Sequence, residues 1–282
     1  MDIPVWKYIL SMGAYFTLLM AIVGLTRKYY KISNWFWIAS LLTFPIWIMS
    51  GGVVGWFRWF KIVSVIFPII FLGLSRVAIY EKRQGKFWGA LQKNWVLYVL
   101  FGVIFLNIME ATVKDLQTGN YFNALCGFLL CVTMPYAPKF WKFSLNHGDR
   151  ADLMAYTTLA WNFLYTTWNL CFVYGESHNY FASSVCILLA AEIYPLIKRR
   201  PELYITARAY TLATHMKFRA CLPNLFPAVM DSSAWFNPEV LKYWGIANAM
   251  LIIPYVFWHT WQLHTGKSEI TFRRGQVQSI NS

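Results

Sequence analysis

The sequence has few charged residues. Asp, Glu, Lys and Arg together make up 13% of the 282 positions, whereas 58% are hydrophobic and 19% are aromatic. Soluble domains average about 25% charged residues, so this composition argues against a separate soluble domain and predicts an integral membrane protein. Acidic residues are the scarcer sign, with 12 Asp and Glu against 25 Lys and Arg, which gives a formal net charge of +13.

Cysteine motifs are also missing. The five cysteines form no CxxC pair and show no spacing typical of metal ligands, which argues against a disulfide framework and against a thiolate metal site. We expect them to be buried as small apolar side chains within helices. They are Cys126, Cys131, Cys171, Cys186 and Cys221.

Fingerprints of known enzyme classes are absent as well. The sequence has no GxSxG, HExxH, P-loop or GxGxxG pattern. His259 and His264 lie five residues apart, which separates them by about 140° on a helix and keeps both from binding one metal ion without a local bulge. We therefore predict no metal and no cofactor, and the sequence names no particular reaction.

Long hydrophobic runs recur along the whole chain. A bilayer core about 30 Å thick needs roughly 20 apolar residues per helix, and runs of this kind alternate with short polar breaks. The first run has no basic segment or cleavage site before it and is expected to be a retained helix. The pattern predicts one all-α domain over 1–282, a polytopic transmembrane helix bundle. The eight clearest helices are predicted at 5–25, 34–50, 60–80, 94–113, 121–137, 153–175, 180–197 and 240–263.

A ninth helix is predicted in the charged, proline-kinked segment 201–230. Its helical part covers about 203–222, and Pro223 and Pro227 bend or break the rest of the segment. The bundle thus has eight or nine spans. This choice decides on which side of the membrane the short basic tail, 265–282, lies.

The distribution of Lys and Arg favours nine spans. Thirteen of these residues fall in one set of alternate loops and four in the other, so the positive-inside rule puts the first loop in the cytoplasm and the N-terminus outside. Nine spans bring the tail, with Lys267, Arg273 and Arg274, to the cytoplasmic side of the plasma (inner) membrane. Basic loops beside anionic headgroups account for the net charge, so we expect membrane lipids as partners and no nucleic acid. The oligomeric state stays open.

Two similar stretches lie 59 residues apart. NYFNALCGFLL (120–130) and NYFASSVCILL (179–189) share Asn, Tyr, Phe and two leucines at matching offsets. One interpretation is a two-helix repeat relating 94–137 to 153–197. The simpler interpretation is that Asn caps each helix while the aromatic residue lies at the headgroup level, which needs no duplication.

The stretch WNFLYTTWNLCFVYGE, 161–176, is rich in aromatic and amide side chains. Helical spacing puts its rings on one stripe and its Asn and Thr residues on the adjacent stripe. The residues either pack between helices or form the wall of a small-molecule pocket, with amides that orient a solute. The residues predicted to bind solute here are Trp161, Asn162, Tyr165, Trp168 and Asn169.

This stretch, together with the length of the chain, resembles an uncharacterised bacterial family of multi-pass membrane proteins with no assigned activity. The resemblance rests on 161–176 and on the similar length. It implies a membrane protein of several spans and supplies no catalytic residues.

Polar side chains form a second stripe on the ninth helix. Their spacings of four, three, four and four put Tyr204, Arg208, Thr211, His215 and Arg219 on one face, whereas the other positions are mostly apolar. A helix lying on the membrane surface would turn this face to water and phosphates. A spanning helix would turn it inward, because an ionised side chain facing lipid costs about 2.5 kcal/mol or more. The inward orientation is favoured, and it makes Tyr204, Arg208, His215 and Arg219 candidate solute ligands.

An inward arginine needs a partner. Glu110, Glu176 and Glu192 lie in or near spans, and Glu192 is the deepest of them, so we expect it to pair with Arg208 or to share the solute site. The alternative is an arginine left to bind an anionic solute. A further acidic stretch, HGDRAD at 147–152, is expected to be a solvated turn and helix cap.

Three functions fit these patterns. The first is a transporter or channel for a small organic or anionic solute. The second is an intramembrane enzyme acting on lipid-like substrates, with or without a metal, around His215. The third is a membrane receptor or scaffold that transports nothing.

Overall fold

Helices dominate the computed structural model, which describes residues 3–265. The all-α class is confirmed, with one small hairpin as an addition. The helices are α1 (Val5–Lys28), α2 (Tyr30–Ala39), α3 (Phe44–Met49), α4 (Trp56–Tyr80), α5 (Lys86–Leu91), α6 (Trp95–Gln117), α7 (Tyr121–Thr133), α8 (Leu159–Glu176), α9 (Phe181–Lys198), α10 (Tyr204–Cys221), α11 (Leu225–Met230) and α12 (Pro238–His264).

Six of the described segments are long and apolar enough to cross a membrane, as in a membrane protein. They are Val5–Lys28, Tyr30–Met49, Arg58–Tyr80, Trp95–Gln117, His178–Lys198 and Pro238–His264. The predicted total of eight to nine spans is not confirmed by this measure. Three other helices do not meet this criterion of length and hydropathy: α7 has only 13 residues, and polar side chains interrupt α8 and α10.

A β-hairpin replaces the start of the helix predicted at 153–175. Strand β1 (Trp141–Phe143) pairs antiparallel with strand β2 (Leu153–Ala155), and the Thr206 hydroxyl of α10 donates to the Leu153 carbonyl at 2.9 Å. The helix prediction was wrong here because these contacts come from distant parts of the chain. Helix α8 begins after Thr158, whose hydroxyl accepts from the Trp161 amide and caps the helix.

Helix α10 lies inside the bundle. It packs against α9, α4 and α1, and most of its polar face is buried, including Tyr204, Arg208, Thr211 and His215. The inward orientation predicted for this face is therefore confirmed. The helix ends at Cys221, before Pro223, and α11 begins at Leu225.

The hairpin lies at the same end of the bundle as the basic ends of α1 and α9. Arg150 donates to the Lys28 carbonyl, and Arg27 donates to the Tyr194 hydroxyl at 3.0 Å. We call this the basic end. At the other end, Lys7 of α1 donates to the Ala228 carbonyl of α11 at 3.2 Å.

Candidate solute-binding cavity

A cavity of about 180 Å³ lies between α4, α6, α8, α9 and α10. Its walls are mostly apolar, with a small number of polar groups, which is the usual composition of a small-molecule site. The lining side chains include Lys61, Asn107, Glu110, Leu153, Tyr165, Asn169, Phe172, Glu176, Ser184, Arg208, Leu212, His215 and Arg219.

The guanidinium of Arg208 is the most unusual group on this wall. Its residue is only 7% exposed, yet Nε and Nη1 have no hydrogen-bond partner. Its remaining donor, Nη2, makes one long contact of 3.5 Å with Asn169 Oδ1. Within residues 3–265, Arg208 takes part in no ion pair. A buried charge in this state is costly, and a carboxylate or phosphate from solution would satisfy it.

The expected pair between Arg208 and Glu192 is wrong. Glu192 Oε2 instead accepts from the Thr166 hydroxyl at 2.9 Å, and the same hydroxyl lies 2.7 Å from the hydroxyl of Tyr204. These groups form a link between α8, α9 and the first turn of α10. Arg208 lies one turn further along α10. Because the Glu192 carboxylate is engaged near Tyr204, Arg208 is left without a counter-charge.

His215 is the second buried polar group on the cavity wall. Its residue is 1% exposed, its Nδ1 lies 3.1 Å from the Tyr15 hydroxyl of α1, and its Nε2 has no partner. Seven residues separate it from Arg208, or roughly 10 Å along the helix. The cavity therefore presents two unsatisfied groups, one cationic and one imidazole, on the same wall.

Charged side chains surround the end of the cavity away from the hairpin. Lys61 Nζ pairs with Glu110 Oε2 at 2.9 Å, and Glu176 Oε1 pairs with Lys114 Nζ at 2.6 Å. Arg219 lies over the Tyr180 ring, 3.8 Å from its centroid. The side chains of Lys61, Glu110 and Glu176 are each about a quarter exposed, so this end of the cavity lies near the surface of the bundle.

The aromatic stripe of α8 divides between two surroundings. Tyr165 and Phe172 line the cavity. Trp161 and Trp168 are fully buried and pack toward α7, where the Trp161 indole donates to the Leu130 carbonyl at 3.3 Å. The stripe is wide enough to contact both the cavity and α7. The spacing of its residues therefore did not show which rings line the cavity and which pack between helices.

Gly127 of α7 packs closely against α6 and α8. A Cβ atom on Gly127 would lie 2.2 Å from Thr112 Oγ1 and 2.6 Å from Trp168 Nε1. We expect Gly127→Ala to lower the free energy of unfolding by about 1–3 kcal/mol through overpacking, measured by thermal denaturation in detergent. Gly102→Ala is the matched control, because nothing lies within 4 Å of its Cβ. Equal behaviour of the two variants would contradict this packing.

Buried ion pairs close the other end of the cavity. Asp152, which is fully buried, pairs with Arg27 and lies 3.8 Å from Arg76 Nε. Asp149 accepts two hydrogen bonds from Arg200. The expectation that HGDRAD is a solvated turn is therefore wrong for its two aspartates, although His147 and Gly148 are exposed in a turn. We call Arg27, Arg76, Asp149, Asp152 and Arg200 the ion-pair cluster.

The cluster holds the hairpin in place and favours the ionised form of the Asp149 carboxyl. Burial opposes ionisation of Asp149, but hydrogen bonds from Arg200 and Ser144 outweigh this effect and hold the pKa of the carboxyl below its ordinary value. Arg76 also donates to the carbonyls of Thr26 and Arg27, at 3.2 and 3.1 Å. The cluster thus joins α1, α4, the hairpin and the loop before α10.

A wider cavity, of about 1100 Å³, lies on the far side of the hairpin at the basic end. Successive side chains of a strand point to opposite faces. Accordingly, Leu153 of β2 lines the central cavity, whereas Met154 lines the wider one. A single strand therefore separates the two spaces.

Five of the ten predicted solute-binding residues line the central cavity, and five do not. Two further lining residues, Asn107 and Ser184, had no direct sign in the sequence. Arg76 did leave a signal, because it is a lone charge inside the apolar run of α4. Of the ten predicted residues, the five that line the cavity are Tyr165, Asn169, Arg208, His215 and Arg219. The five predicted residues that do not line it are Trp161, Asn162, Trp168, Glu192 and Tyr204.

Asn162 illustrates how the other five are used. Its side-chain amide donates to the Pro201 carbonyl at 3.2 Å and fastens α8 to the loop before α10.

Within residues 3–265, no three His, Cys, Asp or Glu side chains are arranged to hold a metal ion. Comparison of the chain with protein-family models, with curated proteins and with solved structures found no match.

Proposed function

We propose that this protein is a membrane transporter that carries a small organic anion through the cavity beside Arg208. The observation behind the proposal is the buried guanidinium of Arg208, which lines the cavity with Nε and Nη1 unpaired. A planar carboxylate matches this fork of donors. The positive charge nearest the solute would then be neutralised only when solute is bound.

The size and lining of the cavity define the solute further. A volume of about 180 Å³ is below the roughly 300 Å³ at which pockets for drug-sized ligands begin. Tyr165, Phe172 and Leu212 offer apolar surface near Arg208. The solute class is therefore a small monocarboxylate with an apolar body, which His215 Nε2 could reach with a second hydrogen bond.

The closed end of the cavity favours transport over simple binding. Alternating access requires a solute site that opens to one side at a time. The side chains at the Lys61 end of the central cavity are partly exposed, and Leu153 of the hairpin lies between this cavity and the wider cavity at the basic end. Movement of the hairpin, with rearrangement of the ion-pair cluster, would open the second side.

Nine crossings of the plasma membrane complete the proposal. Helices α7, α8 and α10 would add three to the six long apolar segments, and the basic end would face the cytoplasm. We then expect a reporter fused after Ser282 to be active only in the cytoplasm. Activity only outside the cell would contradict nine spans, and a fusion after Met1, expected outside, is the control.

Simple acids serve as probes for the solute site. Benzoate and butyrate carry a carboxylate on an apolar body, and benzamide and butyramide have nearly the same shape without the charge. We expect each acid, but not its amide, to raise the thermal denaturation midpoint of the purified protein. Uptake of labelled benzoate into proteoliposomes, and its recovery unchanged, would separate transport from an enzyme reaction or a receptor. If neither acid binds better than its amide, the proposed anion site is wrong.

A further inference from the structure

A third pocket, of about 620 Å³, lies at the basic end between α1, the hairpin and α9. Two of its cations, Arg27 and Arg200, belong to the ion-pair cluster. Three others, Lys28, Arg150 and Lys198, also line it and form no ion pair within residues 3–265. The pocket therefore has an excess of positive charge at the end of a transmembrane bundle.

An apolar groove of about 540 Å³ runs beside this pocket, between α1 and α2 and over α10. Ile22, Phe36 and Phe218 are among its lining residues. Lys217 also lines it, but its ammonium group donates to the Ser40 carbonyl and lies 4.3 Å from the centroid of the Trp47 ring. The groove thus offers hydrocarbon surface along the length of the helices.

The pocket and the groove share one residue. Leu25 of α1 lines both, and Lys28 and Tyr29, one turn further along, line the pocket and the groove respectively. A ligand that fills both would need an anionic group at the helix ends and an apolar chain running along the bundle. A phospholipid in the membrane has this form, and basic pockets between transmembrane helices bind phosphate headgroups.

We infer that this protein binds one anionic phospholipid, with its phosphate among Lys28, Arg150 and Lys198 and an acyl chain in the groove of α1, α2 and α10. The site is separate from the central cavity and does not depend on the proposed transport. The lipid would join α1 to the hairpin and α9 on the side where the ion-pair cluster fastens them.

Native mass spectrometry of the purified full chain tests the inference. The protein is given equal amounts of phosphatidylglycerol and phosphatidylcholine with the same acyl chains. We expect one phosphatidylglycerol to be retained in preference, and Lys28→Gln with Lys198→Gln to reduce this preference by roughly fivefold per cation removed. Lys86→Gln with Lys93→Gln removes two exposed cations elsewhere and should leave the preference unchanged.

Two further measurements separate the headgroup from the chain. Cys221 lines the groove, and Cys221→Trp should fill it and reduce retention of both lipids, whereas the lysine variants reduce retention of phosphatidylglycerol alone. Inorganic phosphate should stabilise the protein much less than phosphatidylglycerol does. Equal retention of the two lipids by the wild type, equal losses in the control variant, or equal stabilisation by phosphate would each overturn the inference. If Cys221→Trp does not fold, Ile32→Trp, at an exposed residue that lines the same groove, replaces it.

Discussion

Replacing Arg208 with methionine is expected to abolish the binding of small carboxylates and, at the same time, to raise the stability of the solute-free protein. Arg208 is 7% exposed, and two of its donor nitrogens are unsatisfied. A buried donor without a partner costs about 1–3 kcal/mol. Methionine has a similar length and no donor, so the free energy of unfolding should rise by about that amount.

Binding and stability are measured together by thermal denaturation in detergent, with and without benzoate. Arg76→Met is the matched control, because Arg76 is also buried but has partners in Asp152 and in two carbonyls. It should destabilise the protein. Arg208→Lys keeps the charge without the fork and should bind benzoate more weakly than the wild type. A large loss of stability in Arg208→Met would show that Arg208 serves the fold.

Replacing Asp152 with asparagine is expected to destabilise the protein by about 3–5 kcal/mol, because it leaves the buried Arg76 and the partly buried Arg27 without their shared counter-charge. Asp152 is fully buried and lies against Arg27 and Arg76. Asparagine keeps the shape of the side chain, so the loss of stability would result from the missing negative charge and not from a cavity. The apparent denaturation midpoint measures it.

A double variant distinguishes a broken ion pair from a general defect of the hairpin. Arg76→Met added to Asp152→Asn removes one of the uncompensated charges and should restore part of the stability. Arg27 keeps Asp149 nearby, with Nη2 and Oδ1 4.0 Å apart. Strictly additive losses would mean that Asp152 and Arg76 act independently. The same variants should also alter benzoate uptake if the hairpin is the moving barrier.

The sequence predicted which face of a helix is polar better than it predicted which residues that face contacts. The spacing of Tyr204, Arg208, His215 and Arg219 was enough to define one polar side of α10, because the 3.6-residue period is local. Whether that side met a carboxylate, a cavity or water depended on which helices packed against it. Glu192 was a reasonable partner for Arg208 by depth, and Thr166 of α8 engages it instead.

The hairpin could not be found in the same way. Its second strand, Leu153–Ala155, follows no alternation and contains residues that favour helices. It is a strand because Trp141–Phe143 pairs with it and because Thr206 donates to its backbone. Asp152 looked solvated because it lies in a loop with basic neighbours, whereas its true partners lie 125 and 76 residues away.

The sequence by itself determined the class of protein, most of the helices and the polarity of their faces. Each of these follows from composition and from spacing within a few turns, where each residue's neighbours are fixed by the geometry of the helix. Only the tertiary structure decided that Trp161 and Trp168 pack against α7 while Tyr165 reaches a cavity, that Arg208 is left unpaired, and that a strand lies between two cavities. These outcomes depend on contacts between residues far apart in the chain, where many pairings satisfy the same local pattern and the packing of the whole bundle selects one.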